Sequence, residues 1–168
     1  MNKEAPYFLI SFHKESKNRA QENKQFLERL KKLRPSTLDN VTEELHYKAF
    51  DHIDCLSCAN CCKTTSPILI DKDIERISKW LRIKPSEMVE NYLKLDSEGD
   101  YVFIQTPCPF LMDDNYCMIY EERPRACREY PHTNRRRFYQ ILKLSYYNTL
   151  VCPAVLEVVE GLKQHYNK

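Results

Sequence analysis

Eight cysteines carry the chemistry of this 168-residue sequence. Four of them, Cys55, Cys58, Cys61 and Cys62, form the run Cys-x2-Cys-x2-Cys-Cys. Two residues between cysteines let the backbone fold around a metal, with both thiolates facing one centre and amides near the sulfurs. Cys61 and Cys62 are adjacent and would strain to chelate one tetrahedral ion together. The pair therefore implies two neighbouring centres, a cluster, or one ligand beside an uncoordinated thiol. The remaining candidate ligands are Cys108 between Pro107 and Pro109, Cys117 and Cys127 flanking 118–126, and Cys152 just before Pro153. Cys152 falls where a helix would begin, and the positive end of its dipole favours a thiolate. Eight thiols suffice for two four-thiolate centres. Against this, each isolated cysteine has a bland alternative as a small buried hydrophobe.

Charge fits the same reading. Four thiolates around a divalent ion leave a net charge of about −2, costly to bury without partners. Lys63 follows the run, and Arg123, Arg125 and Arg128 surround Cys127. They would offset the sulfur charge and donate hydrogen bonds to it. Iron and zinc are both open. Structural zinc sites often use two separate cysteine pairs, whereas this chain has one dense run and scattered singles. The run Cys55-x2-Cys58-x2-Cys61 matches the first three ligands of a bacterial ferredoxin, whose fourth precedes proline, as Cys108 and Cys152 do here. The lean is toward an iron–sulfur cluster.

Composition removes other classes. Only Gly99 and Gly161 are present, so no glycine-rich turn cradles a phosphate. A formal charge of +2 is near balance and makes no global case for nucleic acid or membrane. No apolar run approaches the roughly 20 residues that span a bilayer. The stretch Tyr7 to Phe12 is shorter than a signal-peptide core and lacks a following small-residue cleavage site. The expected compartment is the cytoplasm, whose reducing conditions turn a cysteine pattern toward metal or catalysis and away from disulfides.

The elements that must position these thiols are mostly helices. Ser16 is expected to cap a helix to about Leu33, with Phe26, Leu27, Leu30 and Leu33 as its apolar stripe and Pro35 ending it. Asn40 would cap a second through Val41, Leu45 and Ala49. Asp54 to Thr65 reads as a metal-binding loop, and 67–70 as a short buried strand. Asp71 caps a helix with Ile74, Ile77, Trp80 and Leu81 on one side; Pro85 starts another carrying Met88, Val89, Tyr92 and Leu93. After a turn at Asp96 to Asp100, Tyr101 to Gln105 and Tyr116 to Tyr120 suggest a small hairpin. A helix over Arg137 to Leu150 and one opened by Pro153, with Val155, Leu156, Val159 and Leu162, complete the chain. The expected fold is mainly α with a small β-hairpin, a single compact domain organised around a cysteine-ligated metal centre. Within it, 1–45 would be a helical N-terminal extension and 46–168 the metal-binding domain.

The run Cys55-Leu-Ser-Cys58-Ala-Asn-Cys61-Cys62 resembles the CxxCxxCC cluster proteins, a family of zinc- or iron-chelating domains. Cys108-Pro109-Phe110-Leu111, followed by Cys117-Met-Ile119-Tyr120-Glu-Glu-Arg123-Pro124-Arg-Ala-Cys127-Arg128-Glu-Tyr130-Pro131, is similar to the family's second signature. The resemblance spans roughly residues 50–165, including Asp73-Ile-Glu-Arg76 and the Cys152-Pro153 helix. It implies metal chelation by these cysteines. A related module occurs in flagellin lysine methylases, larger enzymes in which an iron–sulfur centre is linked to methyl transfer; no S-adenosylmethionine site is recognisable here.

Three functions follow. The first is a metal-binding protein chelating iron, as an iron–sulfur cluster or otherwise, or zinc. The second is a metal-dependent enzyme of redox or methyl-transfer type, with His132 and Asp113 or Asp114 as assisting groups. The third is a nucleic-acid-binding module built on Arg123, Arg125, Arg128 and Arg135 to Arg137, with Tyr130, Phe138 and Tyr139 stacking on bases. Balanced charge, and the thiolates' own need for cations, count against the third.

Overall fold

A computed structural model describes residues 7–167. In chain order the first elements are α1 (Tyr7–Asn18), α2 (Ala20–Leu33), α3 (Leu38–Phe50), α4 (Cys55–Cys58) and α5 (Asn60–Thr64). Next come β1 (Ile68–Leu69), α6 (Asp71–Leu81), α7 (Pro85–Tyr92), β2 (Leu93–Leu95) and β3 (Tyr101–Phe103). The last are α8 (Arg125–Glu129), a 3-10 turn at Phe138–Ile141, α9 (Leu142–Thr149) and α10 (Pro153–Tyr166). The chain is mainly helical with a small antiparallel sheet. In place of one compact domain its contacts divide into two units, Met1–Cys58 with Pro131–Lys168, and Ala59–Tyr130. The reason is that the sheet and its helices close an apolar core of their own.

In the first unit, Phe26, Leu27 and Leu30 of α2 are buried at three- and four-residue spacing, while Leu33 is exposed. Arg34 turns left-handed at φ 44°, its N–H returns to the Leu30 carbonyl at 3.0 Å, and Pro35 prevents continuation. Ser16 caps nothing. It lies inside α1, where its hydroxyl donates to the His13 carbonyl at 3.2 Å, because Leu9 and Phe12 start an apolar face one helix earlier. α3 begins at Leu38, two residues before the expected cap, and buries Leu38, Thr42 and Ala49. It packs on α10, whose Pro153 takes the first helical turn and whose Val155, Val158, Val159 and Leu162 are fully buried. Gly161 permits that approach: a Cβ there would stand 2.6 Å from Leu45 Cδ2. The helix expected over 137–150 starts late. Asp39 accepts the N–H groups of Arg137 (2.7 Å) and Phe138 (2.9 Å), holding a 3-10 turn before α9.

In the second unit the strand order is β1-β3-β2, with Leu69 opposite Tyr101 and Leu93 opposite Phe103. Leu69, Leu93 and Phe103 pack with Ile74 and Ile77 of α6, Met88 of α7, Phe110 and Ile119. Trp80, expected on the apolar side of α6, is exposed. The hairpin partner of β3 is also different from expectation. Leu93–Leu95 leaves α7 and pairs across the Asp96–Asp100 turn, where Asp96 Oδ1 accepts two N–H groups and Gly99 adopts φ 87°. Pro107 and Pro109 lack the N–H donors that a ladder continuing toward 116–120 would need. Only an isolated bridge, Leu111 to Cys117, forms there.

Candidate metal centre

Cys62, Cys108, Cys117 and Cys127 all lie in the second unit. Cys62 is carried by α5, which starts where Ala59 takes a left-handed conformation at φ 47°. The Cys62 carbonyl accepts the Cys108 N–H at 2.8 Å, fixing the two backbones side by side. Cys117 joins them through its bridge to Leu111, whose own N–H donates to the Cys108 carbonyl at 3.1 Å. Cys108 and Cys117 both pack against the core containing Phe110 and Ile119. Cys127 lies in α8, a single turn that follows Pro124.

The segment bearing Cys127 is held by a buried carboxylate. Asp73 is 1% exposed in the first turn of α6. One oxygen accepts the Arg125 N–H (3.1 Å) and Arg76 Nη2 (2.6 Å); the other accepts the Ile70 N–H (3.2 Å). Arg76 also donates to the carbonyls of Glu122 (3.3 Å) and Arg123 (2.9 Å). Two side chains of α6 thus clamp the approach to Cys127. Sequence reasoning gave Asp73 and Arg76 no such role. The available signal was an acid four residues before Ile77, on the apolar face of an amphipathic helix.

Electrostatics tie the four thiols together. Burial pushes Cys127 up to about 12, and negative charge on Cys62, Cys108 and Cys117 pushes the same way. Cys108 is raised to about 11 by burial, against N–H groups of Phe110 and Leu111, with Cys62 and Cys117 adding to the rise. Cys117 is raised by burial, against the Ile119 N–H. Cys62 goes the other way, down to about 7, because the Cys61 thiol donates a hydrogen bond to it; Lys63 contributes a smaller lowering. The Arg123 charge lowers both Cys117 and Cys127. Its guanidinium lies 3.9 Å from the centroid of the Tyr120 ring and donates to the Tyr120 carbonyl. Of the expected counter-cations, Arg123 and Lys63 act on thiols. Arg125 instead pairs with Glu129 at 2.5 Å, and Arg128 is exposed.

This donor set fits a thiophilic metal. Buried thiols that resist ionisation become thiolates when a cation replaces their protons, and all-sulfur sets select zinc or iron–sulfur centres. All eight cysteines are thiols, with no disulfide among the described residues. Among those residues no group of three or more His, Cys, Asp or Glu side chains stands ready to hold a metal ion.

The other sequence candidates are placed as follows. Cys61 hydrogen-bonds to Cys62 within the same unit. Cys55, Cys58 and Cys152 belong to the first unit. Asp113 and Asp114 form an exposed turn in which Asp114 accepts the Tyr116 N–H at 2.9 Å. His132 sits at φ 66° in the first unit. The arginine-rich segment is split between the units: Arg123, Arg125 and Arg128 fall in the second, Arg135 to Arg137 in the first. No described helix is long and apolar enough to cross a membrane.

No curated protein and no solved structure matches the chain. A family profile does match, over residues 54–149, a stretch that covers seven of the eight cysteines and stops three residues before Cys152. That profile is described as "Putative zinc- or iron-chelating domain", it spans more than half of the sequence, and the chain belongs to this CxxCxxCC family.

Proposed function

We propose that the protein is an iron-binding protein whose Ala59–Tyr130 unit holds the metal, as an iron–sulfur cluster, on Cys62, Cys108, Cys117 and Cys127. The observation that carries this reading is that the Cys62 carbonyl accepts the Cys108 N–H at 2.8 Å while the Leu111–Cys117 bridge sets Cys117 beside the same stretch. The family's description supports chelation and leaves zinc and iron level. The lean to iron comes from the ferredoxin-like spacing at the start of the cysteine run. Cys61 is then a donor to a ligand sulfur, and Arg123 and Lys63 offset the cluster's negative charge.

Anaerobic purification followed by elemental analysis and an absorption spectrum tests the reading. Brown protein with iron and sulfide in defined ratio, both diminished by Cys127→Ser, is the expected result. A colourless protein with stoichiometric zinc would overturn iron while keeping the thiolate site. Neither metal at defined stoichiometry would overturn the site itself.

A further inference from the structure

Part of the arginine-rich segment has no place in the metal centre. Arg135, Arg136 and Arg137 belong to the first unit, whereas Cys62, Cys108, Cys117 and Cys127 belong to the second. The near balance of charge along the chain is also an average of two unlike units. Lysine and arginine outnumber aspartate and glutamate in the first unit, and acidic residues are the majority in the second. Both arguments that counted against a nucleic-acid partner therefore lapse for the first unit.

The fold gathers further cations around these three. The Arg34 guanidinium lies over the Tyr139 ring, 5.0 Å from its centroid, and so sets the end of α2 against the 3-10 turn that Arg137 precedes. Lys31 and Lys32 occupy the last turn of α2. Asp39 accepts the N–H groups of Arg137 and Phe138, which ties the backbone of the arginine segment to the start of α3. All six cations are exposed. Among the described residues no carboxylate pairs with any of them, although elsewhere in the unit Arg19 pairs with Glu15 and Glu160, and Lys163 with Glu22 and Glu160. The negative end of the α2 dipole accounts for Lys31 and Lys32. The arginines have no such use: Arg135 Nε donates to the neighbouring Arg136 carbonyl at 3.3 Å, which leaves its charge without a carboxylate. Like charges gathered in this way repel one another until an anion is met.

We propose that the surface formed by the end of α2, Arg135 to Arg137 and Tyr139 binds single-stranded nucleic acid, independently of the metal centre. The arginines set the class of partner, because a planar guanidinium meets a phosphate through two parallel N–H groups. Tyr139 is half-buried and carries the Arg34 guanidinium on its ring. An aromatic face with a guanidinium beside it is the combination on which unpaired bases stack. A duplex keeps its base faces inside, so this platform favours a single strand. Phe138, expected as a stacking residue, is fully buried and takes no part, and Tyr130 falls in the second unit.

The test titrates the full chain against a short fluorescein-labelled oligouridylate, read by anisotropy across a salt series. Counterion release on a single strand gives a log–log slope of about −0.7 per cation engaged, so the whole surface gives about −4. Arg135→Ala combined with Arg136→Ala should weaken binding and shrink that slope by about 1.4. Lys31→Ala combined with Lys32→Ala should do the same, and answers the question if the arginine variant fails to fold. Tyr139→Leu should weaken binding about fivefold or more through lost stacking, with the slope kept. Lys14→Ala combined with Lys17→Ala removes equal charge from exposed positions of α1 and should bind as the unaltered protein does. Absence of salt-sensitive binding to the oligonucleotide, with or without binding to phosphatidylserine vesicles, would overturn the proposal. So would an equal loss in the α1 variant, or tighter binding to a duplex of the same length.

Discussion

Replacing Asp73 by alanine tests whether the clamp on α8 shapes the metal centre. The carboxylate is buried and accepts three hydrogen bonds, from the N–H groups of Ile70 and Arg125 and from Arg76. Removing one partner of a buried ion pair costs about 3–5 kcal/mol. That is an upper bound here, because Arg76 is partly exposed and keeps the Glu122 carboxylate at 3.3 Å and two carbonyls. The lost bond at the start of α6 contributes about 1 kcal/mol. The Arg125 N–H, deprived of a charged acceptor, contributes about 1.5 kcal/mol. With a smaller share from Arg76, the expected loss is about 3 kcal/mol. For a chain of this size that lowers the melting temperature by about 6–12 °C. Metal content at the second-unit centre should fall with it, since Arg125 leads directly into Cys127. Asp73→Asn, which keeps an acceptor oxygen without the charge, should fall between. Thermal unfolding by circular dichroism and metal analysis on the same samples give the readout. An Asp73→Ala protein with unchanged melting temperature and full metal content would refute the reasoning.

Two other outcomes are expected. In metal-free protein Cys62 should be alkylated by iodoacetamide ahead of Cys108 and Cys127, because its thiol is lowered to about 7 while theirs are raised to about 11 and 12. The thiolate is the reactive form, so the Cys62 rate should climb as pH rises through about 7 and level off above; Cys61→Ser should alter that midpoint, and peptide mapping with an indifferent Cys61 would count against the sulfur–sulfur hydrogen bond. Asn23 is fully buried with neither amide atom hydrogen-bonded, so Asn23→Leu should stabilise the first unit by about 1–3 kcal/mol in urea unfolding, and a loss of stability would contradict its burial without partners.

The helical elements were largely legible because their burial follows local periodicity. Ile74 and Ile77, Met88, and Val155 with Val159 and Leu162 lie on core faces as their spacing predicts. Where tertiary partners decided, reading failed. Ser16 looks like a cap, yet Leu9 and Phe12 have a core to bury in, which moves the helix start upstream. Leu93 looks helical, yet its N–H can still close α7 while its extended backbone pairs with Phe103. Asp54 to Thr65 reads as a loop because α4 and α5 are single turns, too short to show a period.

Alone, the sequence determined the chemistry: eight thiols, a run whose spacing turns sulfurs inward, and basic residues beside them. It also pointed against Cys61 and Cys62 chelating one tetrahedral ion together, leaving two neighbouring centres, a cluster, or one ligand beside an uncoordinated thiol. Which cysteines lie near one another in space depends on the tertiary structure. Cys62 meets Cys108 through a backbone hydrogen bond across more than forty residues, and Cys127 is brought to them by a segment anchored on Asp73. Cys58 shares an apolar cluster with Leu156, whose N–H donates to the Cys152 carbonyl at the start of α10. Ligand chemistry is a property of side chains and short spacings, whereas the choice of companions across long stretches of chain is made by core packing and buried polar anchors.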